Sequence, residues 1–312
     1  MEDPAPLAPR PPRLLVGLAL VLVGWLAGCE EPVELDVAID KPQLVLSAAL
    51  YPDQRVYVTL TGSQPTTAGG DFPRITNAAV HLYRNNVHVS ELTFMPTTGR
   101  YETEYYVPEV GVDYTLYITA PGYDPVNAST RIPPPIPLTL LSVEGLSIRD
   151  DGPDRIYDYH LSVDFEDPTA ETNYYDLRIQ QRVTPFIVVR GDTILKPNQT
   201  YDKGVSLATA GTGAPAGVAS LLFVDKPPGE SLSIHLRSRA ELGTERIGEV
   251  VAELRTVSPE YYLFRRSLGP QPRVTIAPIE EPVVLFSSVR GNGAGVFAGY
   301  NRSIRSLPLL GR

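Results

Sequence analysis

The sequence predicts an all-β protein: a small N-terminal sandwich, then a larger β-sandwich or barrel, with one short helix near the end. Three observations carry that prediction. Apolar and polar residues alternate with a period of two along most of the chain, as strands with one buried face require. Seventeen tyrosines stand against one tryptophan, and 31 prolines and 25 glycines punctuate the chain, which suits strands joined by tight turns. A helical period surfaces in a single segment, with no heptad run and no low-complexity tract.

The chain opens on an apolar run, residues 14–27, preceded by Arg10 and Arg13. The run is shorter than the about 20 apolar residues a membrane-spanning helix needs. A basic start, a short apolar middle and small residues at the end describe a secretory signal peptide over residues 1–28. Ala27 and Gly28 lead directly into Cys29, the only cysteine of the chain. Leu26-Ala27-Gly28-Cys29 resembles the lipobox of bacterial lipoproteins. That resemblance implies cleavage before Cys29 and acylation of both its thiol and the new amino terminus, so the first partner expected is a lipid bilayer. A thiol is the side-chain nucleophile suited to carrying the lipid. Each buried methylene contributes about 0.8 kcal/mol and one acyl chain holds only marginally, so several chains on one residue make a durable anchor. The plainer alternative is an ordinary signal peptide with an incidental cysteine. A catalytic or metal thiol would want a second cysteine to build its site.

Glu30 and Glu31 follow the cysteine. They resemble the surface-export signal of outer-membrane lipoproteins in some Gram-negative groups. A solvated linker over residues 29–40 accounts for the same residues. The leader contains Glu2, Asp3, Arg10 and Arg13, which cancel, so the chain after it keeps the net charge of −9. A net-acidic chain without basic clusters argues against nucleic acid, whose phosphates need Lys or Arg. It argues equally against electrostatic docking on anionic lipid.

Residues 41–132 form the first region. Leu44 and Leu46 alternate with Val45 and Ser47; after a turn at Tyr51, Pro52, Asp53 and Gln54, Val56, Val58 and Leu60 share one face. Val80 and Leu82 run into Asn85-Asn86, a turn, and Val87 and Val89 return. Tyr114, Leu116 and Ile118 form another inward face, closed by the turn Ala120-Pro121-Gly122-Tyr123. Seven short strands at this spacing make a small sandwich. The YTLYITAPGY segment resembles the closing strands of immunoglobulin-like or carboxypeptidase-regulatory-like modules. Residues 133–137 carry four prolines, each without a backbone donor, and are read as a stiff hinge between domains.

Residues 138–312 form the second region. Tyr157, Tyr159, Leu161, Val163 and Phe165 point one way; Tyr175, Leu177 and Ile179 repeat the pattern. Residues 186–196 read as a hairpin around Arg190-Gly191-Asp192, and residues 202–219, rich in Gly, Ala and Thr, as a long loop. Leu232, Ile234 and Leu236 make a strand and residues 247–257 a longer one. At Ser258 the period changes. Ser258 suits a helix N-cap, Pro259 its first position and Glu260 its positive end, with Gly269 to stop it, so a helix is expected over 258–268 against one end or flank of the sheet.

Four stretches taken in order carry a wider resemblance: the acidic residues after the lipobox cysteine with the strand KPQLVLSA, the helix SPEYYLFRRSL, and the strands EPVVLFSSV and GNGAGVFAGY read as a pair. Together they resemble a large domain-of-unknown-function family of Bacteroidetes outer-membrane lipoproteins, often encoded beside TonB-dependent receptors. The resemblance covers nearly all of the chain after the leader. It implies a receptor as partner and carries over no catalytic residues.

The residues themselves display little chemistry. His81, His88, His160 and His235 each fall out of phase with the apolar residues of their strands. His81 and His88 flank the Asn85-Asn86 turn, where a two-histidine metal site competes with plain solvent-facing positions. There is no HExxH, CxxC or nucleophile-elbow motif. Gly291, Gly293 and Gly295 suggest a phosphate cradle, but Val296 and Phe297 continue as strand, so a tight turn or bulge is the better reading. Asp150, Asp151 and Asp154 make the Ca²⁺ candidate, with an acidic solvated turn as the alternative; Asp164, Glu166 and Asp167 form a second acidic patch. Tyr57, Tyr106, Tyr117 and Tyr174 are expected to be exposed and to offer a ligand or protein contact surface, against ordinary β-propensity. Asp192-Thr193-Ile194 resembles the O-glycosylation acceptor triplet of the same bacterial group.

The expectation is therefore a non-enzymatic lipoprotein, anchored in the outer membrane through Cys29 and facing the cell exterior, of binding or accessory type and assisting a TonB-dependent receptor in uptake. The rival readings are a structural or adhesive envelope protein and a β-sandwich hydrolase that uses paired carboxylates.

Overall fold

Alternating strands need a second layer to cover their apolar faces. In the computed structural model, which describes residues 41–64, 70–208, 219–269 and 285–310, that layer is supplied twice. The chain is all-β, a large mixed sheet plus a second small sheet, with one short α-helix among the described residues.

The first region contains β1 (Leu44–Leu50), β2 (Tyr57–Gly62), β3 (Ala79–Arg84), β4 (Val87–Met95), β5 (Arg100–Glu102), β6 (Asp113–Thr119) and β7 (Val126–Arg131). Asn85 and Asn86 both take positive φ, 47° and 66°, which is the conformation of the tight turn that joins twisted antiparallel strands. Strand β4 pairs with β3 through Leu92 and with β5 from Thr93 onward, so it crosses from one layer to the other. Between the layers lie Leu44, Val58, Leu60, Val80, Leu82, Tyr114, Leu116 and Ile118, all at most 1% exposed.

The second region contains β8 (Leu138–Asp151), β9 (Asp154–Phe165), β10 (Tyr174–Val189), β11 (Asp192–Leu195), β12 (Tyr201–Gly204), β13 (Ser206–Leu207), β14 (Ala219–Val224), β15 (Leu232–Glu241), β16 (Glu245–Val257), α1 (Pro259–Ser267), β17 (Val289–Gly291) and β18 (Gly293–Pro308). The small sheet runs β13-β15-β9-β8. It faces β10 and β16 across a core of Tyr159, Leu161, Val163, Phe165, Tyr175, Leu177, Ile179, Leu236 and Leu254. Gln181 is the polar exception on that inner face; its amide is buried with no hydrogen-bond partner among the described residues.

The large sheet runs β11-β10-β16-β18-β1-β2-β5-β4-β3-β6-β7-β17, with β12 and β14 also on β10. Its continuity depends on β18. That strand pairs parallel to β1 over Gly293 to Gly299 and antiparallel to β16 over Tyr300 to Pro308. Phe297 enters the first core and Leu307 packs on the second. The proline stretch 133–137 lies alongside. Asn301 Nδ2 donates to the Pro133 carbonyl at 3.3 Å, and the Leu138 amide donates to Ser303 Oγ at 3.1 Å. Ile132 is buried in the first core and Ile136 in the second.

Helix α1 forms where the sequence changes period. Ser258 is its N-cap and accepts from the Tyr261 amide at 3.4 Å. The same hydroxyl accepts from the Gly299 amide (3.2 Å) and from Thr130 Oγ1 (3.2 Å), so one cap joins the helix, β18 and β7. Tyr261 and Tyr262 pack with Tyr174, Tyr300 and Val296, which sets the helix on the sheet's outer face.

Three expectations need correction. Residues 202–219 are not one long loop: Tyr201–Gly204 and Ser206–Leu207 are strands, because the outer half of β10 and the edge of β15 offer unpaired ladders there. Tyr175 and Val188 belong to one 16-residue strand, β10. Among the described residues, GNGAGVFAGY forms no strand pair with residues 285–289; their one backbone hydrogen bond runs from the Ser288 amide to the Gly295 carbonyl, at 3.0 Å, and residues 281–284 lie outside the described residues. Residues 285–288 are irregular, β17 joins β7, and β18 takes the open edge of β1 instead. The glycine run is this strand, and the phosphate cradle is absent: Gly295 has φ 113°, and a Cβ there would lie 1.9 Å from the Leu46 carbonyl oxygen. The leader, Cys29, Glu30, Glu31 and the linker lie outside the described residues.

Candidate functional site

The four tyrosines do not form one surface. Tyr117 stands out of β6 with 41% of its area exposed. Tyr57 is half-buried under the Arg100 guanidinium, 4.4 Å from its ring centroid. Tyr174 is half-buried against Tyr262, centroids 5.0 Å apart. Tyr106 corrects the expectation: it packs against the first core, its hydroxyl 3.2 Å from that of Tyr114, while Tyr105 is the exposed neighbour at 84%. The pair lies in an irregular segment after β5, so strand parity did not apply there. Burial and then the Tyr114 hydroxyl push the Tyr106 pKa upward.

The acidic residues are paired, mostly with arginine. Asp150 takes a bidentate contact from Arg155 (2.7 and 3.2 Å), which holds its carboxyl below the ordinary range. Asp154 sits 3.7 Å from Arg239, and Asp151 is exposed at the hairpin tip. Among the described residues no three His, Cys, Asp or Glu side chains are arranged to hold a metal ion. The second patch grips Lys226 instead. Its buried ammonium reaches Asp164 at 3.0 Å and the Glu230 carbonyl, while its amide donates to Asp167 at 2.6 Å; Glu166 is exposed. Beside it, the loops 167–172 and 224–228 enclose a concavity of about 540 Å³.

The histidines meet in pairs across strands. His160 and His235 are opposite residues of β9 and β15 and stack at 4.4 Å. His81 and His88 are edge-to-face at 5.5 Å, and His88 meets Tyr83 the same way at 5.4 Å.

These rings open a feature the sequence did not announce. Strand pairing sets Tyr83 beside Thr115 and Thr115 beside Ser129; one step along, His81 lies beside Tyr117 and Tyr117 beside Asn127. Tyr83, Asn86, Thr115, Tyr117 and Asn127 line a concavity of about 350 Å³ on the outer face of β3, β6 and β7. It continues into a second of about 500 Å³, which shares Asn86 and Thr115 and reaches Asp113, Arg131 and the start of α1. Asp113 and Arg131 are bidentate at 2.7 and 2.8 Å. Alternation alone puts Thr115 with Tyr117, and Asn127 with Ser129, on outward faces. Only the register, set by long-range pairing, brings them under Tyr83.

A second surface lies at the far edge of the large sheet. The β10–β11 hairpin carries Ile187, Val188, Val189, Ile194 and Leu195, all between 40% and 57% exposed. Its base is closed by the Lys196 amide donating to the Pro185 carbonyl at 2.8 Å. The sequence marked the hairpin correctly, but its apolar run reads as core, and the described body does not cover it. Asp192, Thr193 and Ile194 are exposed on β11.

No curated protein matches the chain. One family model does, across residues 30–306, nearly the whole described body with its groove and hairpin. By that match the chain belongs to the family described as Domain of unknown function (DUF4249).

Proposed function

We propose that this protein is an outer-membrane lipoprotein of binding and accessory type, held by acylated Cys29 with its β body facing the cell exterior, and that it assists a TonB-dependent receptor. The anchor reading rests on the Leu26-Ala27-Gly28-Cys29 stretch and the acidic pair after it. The single structural observation in favour of a protein partner is the β10–β11 hairpin. Ile187, Val189 and Ile194 on one face of that arm, and Val188 with Leu195 on the other, are left 40% to 57% exposed, apolar surface of the kind that marks protein contact. Asp150, Asp158, Asp164 and Asp176 are each engaged by Arg or Lys, which favours a structural over a catalytic role for these four carboxylates.

The test is co-purification from native membranes after mild solubilisation, with wild type and Val188→Glu side by side. Val188 is 57% exposed, so the added charge leaves the fold intact. Wild type should bring down a TonB-dependent receptor and Val188→Glu should lose it. Recovery of no receptor by wild type contradicts the accessory role.

A further inference from the structure

The groove on the outer face of β3, β6 and β7 has a definite chemistry. Tyr117 offers an exposed ring beside Asn127, and Tyr83 is braced edge-on by His88 at 5.4 Å. A braced ring loses little freedom when a ligand settles on it, which lowers the entropic cost of binding. Asn86 and Asn127 each carry a carbonyl acceptor and two amide donors, and Thr115 adds a hydroxyl held 2.9 Å from Ser129 Oγ. At the far end Asp113 and Arg131 neutralise each other in their bidentate contact, and Glu260 accepts from Thr130 Oγ1 at 3.1 Å. An anionic ligand would find no uncompensated cation there and would meet the Glu260 carboxylate, and an apolar one would leave the amides unpaired. A ligand that suits both is neutral, with a flat C–H face for the rings and an edge of hydroxyls for the amides.

We propose that this groove binds a short neutral saccharide, one pyranose face lying on Tyr117 or Tyr83 and vicinal hydroxyls bonded to Asn86 and Asn127. Strands lie about 4.8 Å apart, so the groove crosses about 10 Å from β3 to β7, the reach of two or three sugar units. The inference deepens the accessory reading by naming what is captured and rests on that reading for its biological use. Its test reads binding alone, so failure here leaves receptor co-purification to stand or fall separately.

The full chain in detergent is titrated with maltotriose, cellotriose, xylotriose and mannotriose, and with trigalacturonate as charged control, by calorimetry and saturation-transfer NMR. At least one neutral trisaccharide should bind with a Kd of about 1 mM or tighter, and Tyr117→Ala and Asn127→Ala should each weaken it about tenfold or more. Val188→Glu, on the far hairpin, should bind as wild type, and unchanged thermal unfolding of Tyr117→Ala and Asn127→Ala establishes that they fold. No binding by any neutral trisaccharide up to about 10 mM overturns the proposal. So does binding that survives both groove substitutions, or a preference for trigalacturonate.

Discussion

Asp176 meets no solvent, and three donors stand where water would be. Ser220 Oγ lies at 2.6 Å, the Tyr261 hydroxyl at 2.7 Å and Arg178 Nε at 2.9 Å. Burial raises the carboxyl pKa, but the Ser220 and Tyr261 hydrogen bonds and the Arg178 charge outweigh it, leaving the value below the ordinary one. A depressed folded-state pKa stabilises the fold above the unfolded value, about 3.9, and that contribution drains away as pH falls through the folded value. Asp176→Asn should therefore cost about 2–3 kcal/mol at pH 7, below the range for a fully buried pair because Arg178 keeps a quarter of its side chain exposed. The deficit against wild type should narrow below about pH 4, read by urea unfolding at pH 7 and pH 3. A deficit that is constant over that range contradicts the assignment. Asp176 also shows what alternation conceals. Its parity places it on the outer face, beside Tyr175 and Leu177 pointing inward, yet α1 covers that face. The cover comes from a helix 85 positions later, through Tyr261.

At the scale of elements, local signals were readable wherever an element is specified by its own residues. Strands β1, β2, β3, β4 and β6, the Asn85-Asn86 turn and the cap at Ser258 sit where period and turn chemistry put them, whereas the three-residue β5 is too short to show a period. Pairing between distant segments was not readable. Strand β18 joins β1 in parallel across most of the chain, and nothing in GNGAGVFAGY names Leu44 as its neighbour. What the glycines do encode is closeness. Gly295 holds φ 113°, and a Cβ would fall 1.9 Å from the Leu46 carbonyl oxygen, so at this position β18 lies against β1 only because the side chain is absent. Gly295→Ala should strip that pairing and destabilise the body by about 3 kcal/mol or more, through backbone strain added to the lost ladder. Hydrogen exchange should register it as faster exchange in both β1 and β18. Wild-type protection in those two strands would show that the close approach is not needed.

The whole molecule, as described from Lys41 onward, is one compact unit with two cores stitched by β18 and the Ser258 cap. On it the polar groove of β3, β6 and β7 and the apolar hairpin of β10 and β11 draw their residues from different regions of the chain. The hairpin and the exposed Tyr117 were legible beforehand; the groove around Tyr117 and the bareness of the hairpin were not. The groove depends on register, and the hairpin residues look like any buried strand until the packing leaves them bare. The proposed lipid anchor, by contrast, rests entirely on local sequence, at Leu26-Ala27-Gly28-Cys29, and the proposal of a surface-held binding protein stands on it. Intact-mass and peptide mass spectrometry of the mature protein from its native host addresses it directly. The account predicts an amino-terminal peptide that begins at Cys29 and carries fatty acyl groups on both its nitrogen and its sulfur. A mature protein that retains residues before Cys29, or that bears an unmodified thiol there, would contradict it.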